Sequence, residues 1–316
     1  MIKSFMDKEP RMIVIDCLLK KDSQGVEHLI TDPQDIKSLV NNHFQTVAGA
    51  TNEAKIIPDR WREQYLPQEN IDRNIYNYLM DEPTLEEWSE VIRALPKNKA
   101  AGPSHITNEM LQHLGLEMNK VIWNFVKACI CLNDIPQQWK KANIYLIPKP
   151  KPWECDLNNT RPITLLETTR KAMIRLLNNR LAKIMTTHKI LKGNQFAGLP
   201  GTSTFGSIRI VNEIIQDAKE KNKEIWVLFQ DLSKAYDRVN IHMLNKALQR
   251  LKIPSSFNKL VTNIFTNRKN RIFTDVGITD EYNVIVGIDQ GEVLSPLLWC
   301  CSAAFVQLQD SQLNVY

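Results

Sequence analysis

A chain of 316 residues that is 43% hydrophobic and 24% charged can bury a sizeable core and is too apolar for wholesale disorder. The net charge of +5 excludes little by itself, but twelve of the Lys and Arg residues fall between Lys140 and Lys192 against three acids. That local +9 leaves about −4 for the remainder, and one basic segment on a near-neutral body is the footprint of a polyanion partner. The six cysteines form no CxxC pair and no zinc spacing with the histidines, so a structural zinc site is not expected. Residues Met1 to Lys8 carry charges where a signal peptide needs an apolar run, and no stretch is long enough to span a bilayer. The expectation is a reduced, intracellular chain with no membrane contact.

In chain order, Met12 to Ile15 and His28 to Ile30 flank the turn-like Asp22-Ser23-Gln24-Gly25 and predict a hairpin. Thr31 or Asp32 caps a helix over 33–47, with Pro33 in its first turn. Residues 49–83 are irregular. Thr84-Leu85-Glu86-Glu87 has capping-box spacing and opens an amphipathic helix to Leu95. A loop at 97–104 is followed by helices over about 108–132 and 170–188, with a short strand at Ile144 to Ile147 between them. Ser203 to Lys221 is helical, with Phe205, Ile208, Val211, Ile214 and Ile215 at helical spacing. Ile225-Trp226-Val227-Leu228-Phe229 is a continuous apolar run, short and rich in β-formers, and predicts a strand buried on both faces. Helices at 240–251 and 256–266, strands at 271–276 and 282–286, and a helix starting near Pro296 complete a mixed α/β (α+β) pattern.

The run ends in Phe229-Gln230-Asp231-Leu232-Ser233-Lys234-Ala235-Tyr236-Asp237. A carboxylate just past the C-terminal end of a buried strand stands where open α/β sheets bind ligands. Phosphoryl transfer uses such carboxylates to hold magnesium. By itself Asp231 could equally cap the following helix. A second block, Gly287-Ile288-Asp289-Gln290-Gly291-Glu292-Val293-Leu294-Ser295-Pro296, contains a glycine that permits close backbone approach and a Gln that both donates and accepts. A third, in the basic segment, runs Trp139-Lys140-Lys141 through Lys149 and Lys151 to Arg161-Pro162-Ile163-Thr164-Leu165-Leu166, then Lys171 and Arg180.

Together, in this order, the blocks resemble the reverse transcriptases of non-LTR (LINE-type) retrotransposons, over about Thr84 to Trp299. Lys99-Ala100-Ala101-Gly102-Pro103 and Gln195-Phe196-Ala197-Gly198 with Gly201-Thr202-Ser203-Thr204 fit the same family. Ala101, Ser104 and His105 depart from its usual Ala-Pro-Gly-Pro-Asp-Gly segment. The resemblance implies a right-hand polymerase fold: an N-terminal region and linker over 1–83, fingers over 84–223, part of a palm over 224–300 and a divergent tail over 301–316. It implies that Asp231 binds catalytic Mg2+ and that Leu232 lends a backbone carbonyl. Tyr236 would stack under the deoxyribose, and Asp237 would have a structural role at a helix start. Lys149 and Arg161 would grip the triphosphate, with Lys151 the nearby alternative to Lys149, and Gln290 and Gly291 would stand beside the nucleotide. Lys140, Lys141, Lys151, Lys171, Arg180, Gly201 and Thr202 are the implied nucleic-acid contacts. The implied partners are an RNA template, a DNA primer and deoxynucleoside triphosphates, and the implied location is nuclear. The family's Tyr-x-Asp-Asp motif is expected tens of residues past Pro296 and does not occur before Tyr316. The expectation is therefore a thumbless polymerase fragment that is inactive as it stands; the alternative is a non-catalytic RNA/DNA-binding relic or co-opted scaffold.

Overall fold

Helices begin where the sequence supplies a side-chain acceptor for their first amides. In the computed structural model, which describes residues 13–22, 24–49, 57, 59–191, 198–201, 203–229, 231–232 and 234–310, Asp32 accepts from the amides of Gln34 and Asp35 and starts α1 (Pro33–Ala48). A four-residue α2 (Asp59–Arg62) follows. Thr84 accepts from the Glu87 amide at 3.1 Å and starts α3 (Leu85–Arg93). Thr107 caps the short α4 (Asn108–Gln112). The sequence predicts one helix over 108–132, but extended backbone at Gly115 separates α4 from α5 (Leu116–Leu132). Glycine is a poor helix interior residue, so the break falls there. The remaining helices are α6 (Thr168–Thr187), α7 (Thr204–Glu220), α8 (Ile241–Arg250, capped by Asn240), α9 (Ser255–Ile264) and α10 (Ser295–Asp310).

The N-terminal hairpin pairs β1 (Leu18–Lys21) with β2 (Glu27–Ile30), Leu18 opposite Ile30. Its first strand thus lies after the predicted 12–15. The Asp22 side chain accepts from the amides of Gln24 and Val26, so the residues next to that turn are the ones in register. Ile15 goes instead into a core; Met12 lies outside the described residues.

The main sheet contains β3 (Lys141–Pro148), β4 (Thr160–Leu165), β5 (Arg268–Thr274), β6 (Gly277–Ile278) and β7 (Tyr282–Val284). Its order is β4-β3-β5-β6, with β7 also on β5. β3 and β4 are antiparallel, Ile147 opposite Arg161, whereas β3 and β5 are parallel, Lys141 opposite Lys269. The sheet therefore joins strands from both sides of residue 223. One sheet face meets the N-terminal unit: Ile15, Leu18, Ile36, Val40 and Phe44 pack on Ile144, Leu146, Ile272 and Tyr282. The larger core gathers the helices around Trp88, Met173, Leu177, Phe257, Phe265 and Leu298.

One expectation is overturned. Ile225 to Phe229 forms no strand, and Trp226, Leu228 and Phe229 are 90%, 91% and 83% exposed. None of β1 to β7 is in register with it, so its backbone has no ladder partner among the described residues. The preceding α7 buries only Ala218 among its side chains. An apolar run states what a segment would bury, but the surface that covers it has to come from elsewhere in the fold.

Candidate functional site

The turn between β3 and β4 is held by its own polar groups. The Lys149 amide donates to the Asn159 carbonyl at 2.8 Å, and the Lys149 ammonium donates to the Asn158 carbonyl at 2.6 Å. Asn159 in turn donates to the carbonyls of Pro152 and Trp153. Along β4, the Thr164 amide donates to the Gln290 carbonyl at 3.0 Å, which fastens the 287–291 loop to the sheet. That loop is tied to the 234–239 segment as well. The amides of Gly287 and Ile288 donate to the carbonyls of Val239 and Tyr236, and Gln290 Nε2 donates to Asp237 Oδ1 at 3.1 Å.

These ties bring three distant segments around one cavity of about 250 Å³. Lys149 and Arg161 stand on one wall, Lys234, Tyr236, Asp237 and Gln290 on another, and α1 adds His43, Phe44 and Val47. The Tyr236 ring is half-buried and edge-on to Trp299, with centroids 6.1 Å apart. Three basic side chains therefore share the cavity with one carboxylate, and burial pushes that carboxyl, Asp237, above its ordinary range. The cavity suits an anion.

Asp237 does not start a helix; Asn240 does, and Asp237 serves as the acceptor for Gln290. Because its folded-state pKa is raised, its stabilising contribution is present at low pH and is lost as pH rises through that value. Asp237→Asn keeps the acceptor and removes the buried charge. The variant should match the wild type near pH 3.5 and be the more stable at pH 7.5, below and above the ordinary carboxylate value of about 4. Denaturant unfolding at both values checks this; a loss of stability at pH 7.5 would count against it.

Other sequence-predicted residues lie elsewhere. Asp231 and Leu232 are exposed and do not line the cavity, because the segment carrying them has no ladder partner. Lys140 is a correction: it is 4% exposed and donates to Asn263 Oδ1, so it is no surface cation. Arg180 is another. It makes a two-pronged contact with Glu87, at 2.7 and 2.6 Å, and donates to the carbonyls of Leu79 and Asp81, tying α6 to α3. Lys171 is half-buried near Glu292 and Glu167, and burial lowers its pKa. Lys141 pairs with Glu281 at 2.7 Å. Lys151 and Gly201 are exposed, while Thr202, Gln195, Phe196 and Ala197 lie outside the described residues. Much of the local +9 is thus consumed inside the fold. Gly291 does permit a close approach, but to the Thr164 carbonyl rather than to a ligand: a Cβ there would stand 2.4 Å from that oxygen.

Sequence reasoning passed over four residues that set this loop. Arg170 and Arg268, 0% and 2% exposed, hold Asp289 and Glu292, 5% and 3% exposed, on either side of Gln290-Gly291. The available signal was the pair of acids flanking Gln-Gly in an otherwise apolar stretch. His43 was missed because nothing in sequence links α1 to residues more than a hundred positions away.

Among the described residues no group of three or more His, Cys, Asp or Glu side chains could hold a metal ion. Asp231 is a single exposed carboxylate, and Asp237 is engaged with Gln290. This donor set does not fit a two-ion centre. Nor is any helix among the described residues long and apolar enough to cross a membrane.

A family model described as reverse transcriptase (RNA-dependent DNA polymerase) matches residues 147–312. The chain is 33% identical over 215 residues, 68% of its length, to a Drosophila melanogaster protein named probable RNA-directed DNA polymerase from transposon X-element, covering 24% of that protein. It is 30% identical over 254 residues, 76% of its length, to the RNA-directed DNA polymerase from mobile element jockey of the same species, covering 27% of it. With a Popillia japonica Pol polyprotein from type-1 retrotransposable element R2 it shares 29% identity over 177 residues, 56% of its length and 24% of the relative. The chain spans about a quarter of the length of these curated relatives.

Proposed function

The chain belongs to the reverse transcriptase family of non-LTR retrotransposons, and on that footing we propose that its cationic cavity receives the triphosphate of an incoming deoxynucleotide. The observation that carries this reading is the meeting of Lys149 and Arg161 with Tyr236 and Gln290 around one 250 Å³ space, although the four come from segments far apart in sequence. Arg161 supplies a planar fork for phosphate oxygens and Lys149 a point charge. Tyr236, braced by Trp299, supplies a flat ring for the sugar and bulk against a 2′-hydroxyl. Gln290, held by Asp237 and by Thr164, sets the floor. Residues 84–223 act as fingers and 224–300 as part of a palm, with an RNA template and a DNA primer as partners.

Magnesium is the ion this family uses, and Asp231 with the Leu232 carbonyl is the position its motif assigns to it. The single exposed carboxylate favours a second reading, in which the described residues bind nucleic acid and nucleotide without chemistry of their own.

Two measurements test the binding roles. Arg161→Ala should weaken deoxynucleoside triphosphate binding roughly 10-fold or more, the worth of one charge-assisted contact of about 1.5–3 kcal/mol. Calorimetric titration with dATP reads it, and unchanged affinity counts against the site. RNA binding should fall with salt with a log–log slope of about −0.7 per neutralised phosphate on single strands. Lys151→Ala should lower that slope, whereas Lys140→Ala should not, because Lys140 is already committed to Asn263.

A further inference from the structure

We infer that His43, on the N-terminal helix α1, is a phosphate ligand of the same cavity; this rests on the nucleotide reading above. α1 is held in both rotation and axial position. Ile36, Val40 and Phe44 recur every four residues and are buried against the sheet, which fixes the rotation of the helix. Its axial position is fixed by side chains and by its last turn. Asn41 donates to the Asp280 carbonyl at 2.9 Å, Gln45 exchanges bonds with the backbone of Asn283, and the Ile285 amide donates to the Ala48 carbonyl at 3.0 Å. His43 lies at the edge of the buried stripe, half-exposed, with its ring edge-on to Phe44 at 4.9 Å between centroids. It therefore faces the cavity from a held helix rather than from a loop.

The charges around it point to the ligand class. Lys149, Arg161 and Lys234 share the cavity with His43, against Asp237 alone. Burial, and then Lys234, lower the His43 pKa, while Asp156 acts the other way. Without a ligand these surroundings disfavour the protonated ring. A bound triphosphate supplies the negative charge that reverses this: the imidazole takes up a proton and donates to a phosphate oxygen. Of the side chains lining the cavity, histidine is the type whose charge responds to pH near neutrality. Affinity for polyphosphate should therefore strengthen as pH falls from 8 to 6, with α1 as the wall that supplies the added charge.

The test is calorimetric titration of the full chain with inorganic tripolyphosphate and with dATP at pH 6, 7 and 8. The terminal phosphate also titrates near pH 6, so wild type and variants are compared at each pH. His43→Gln should weaken both probes about 10-fold at pH 6 and less than about 3-fold at pH 8, because a charged donor is lost only where the ring protonates. His43→Lys, which carries the charge without needing a low pH, should bind more tightly than the wild type at pH 8 and about equally at pH 6. If His43→Gln binds like wild type at every pH while Arg161→Ala weakens binding, the His43 role is overturned and the nucleotide site stands. If His43→Gln weakens dATP but not tripolyphosphate, the contact is to base or sugar and the phosphate assignment fails. If neither His43→Gln nor Arg161→Ala changes binding, the cavity reading itself is wrong. Circular dichroism of each variant separates these outcomes from loss of fold.

Discussion

Arg170→Met should cost about 3–5 kcal/mol of stability, the usual penalty for leaving a buried charge without its partner. Arg170 is fully buried; its Nε donates to Glu292 Oε2 at 3.1 Å, and its Nη2 is ion-paired 2.9 Å from the same oxygen. It also reaches Asp289 Oδ2 at 3.2 Å and the Trp139 carbonyl at 2.7 Å. Arg268 completes a neutral set of two cations and two anions, meeting Asp289 Oδ1 at 2.7 Å and the carbonyls of Val286 and Gly287. Burial already pushes the Glu292 carboxyl up, and Arg170 is the main group opposing that shift. Removing Arg170 strands Glu292, and a loss of this size is a large share of the roughly 5–15 kcal/mol that holds a domain folded. Arg170→Met/Glu292→Met should recover most of it, since apolar replacement of both partners is often neutral. Denaturant unfolding of wild type, single and double variants decides the matter. A single variant within 1 kcal/mol of wild type, or a double variant no better than the single, would show that the pair does not act as a unit.

Gly291→Ala should cost about 2–5 kcal/mol, from overpacking of roughly 1–3 kcal/mol and backbone strain of similar size. The backbone at Gly291 has φ +145°, and an added Cβ would meet the Thr164 carbonyl oxygen at 2.4 Å. The obstacle is backbone in a sheet strand, so it cannot swing aside as a flexible side chain would. Relief would require moving the loop off β4 and breaking the bond between the Thr164 amide and the Gln290 carbonyl. Arg161 sits three residues earlier on that strand, so triphosphate affinity should fall together with stability. Gly201 provides the comparison: its φ is +77°, but nothing lies within 4 Å of an added Cβ. Gly201→Ala should cost only the left-handed backbone term of about 1–2 kcal/mol. Equal melting temperatures for the two variants would remove the steric argument.

The parts of this fold that were legible in sequence are those written in local chemistry. Asp32, Thr84 and Asn240 cap the helices they precede, because a short polar acceptor next to free amides acts within a few residues. The short apolar run Ile144 to Ile147 marks the middle of β3, which extends further at both ends. The family was legible in the same way, through ordered blocks around Arg161, Asp231-to-Asp237 and Gln290-Gly291.

Partnership across long separations was not legible. Lys140, Arg180, Lys149 and Arg161 carry the same formal charge, yet two are spent on Asn263 and Glu87 and two face a cavity. A sequence states charge, but whether that charge meets water, a carboxylate or a ligand depends on which distant segment packs beside it. The apolar run at 225–229 gives the same lesson with the opposite sign, since its hydrophobicity announced burial and the described residues provide no surface to bury it. Most helix starts, the mixed α/β composition and the family could be read from the residues alone, because each rests on interactions within a few residues or on motif order; the break at Gly115 could not. Long-range packing is what brings His43 to the cavity, sets Asp237 against Gln290 and places Arg170 and Arg268 around the 287–292 loop. Those contacts exist because the sheet brings β3, β4 and β5 together and the N-terminal helix packs across its face.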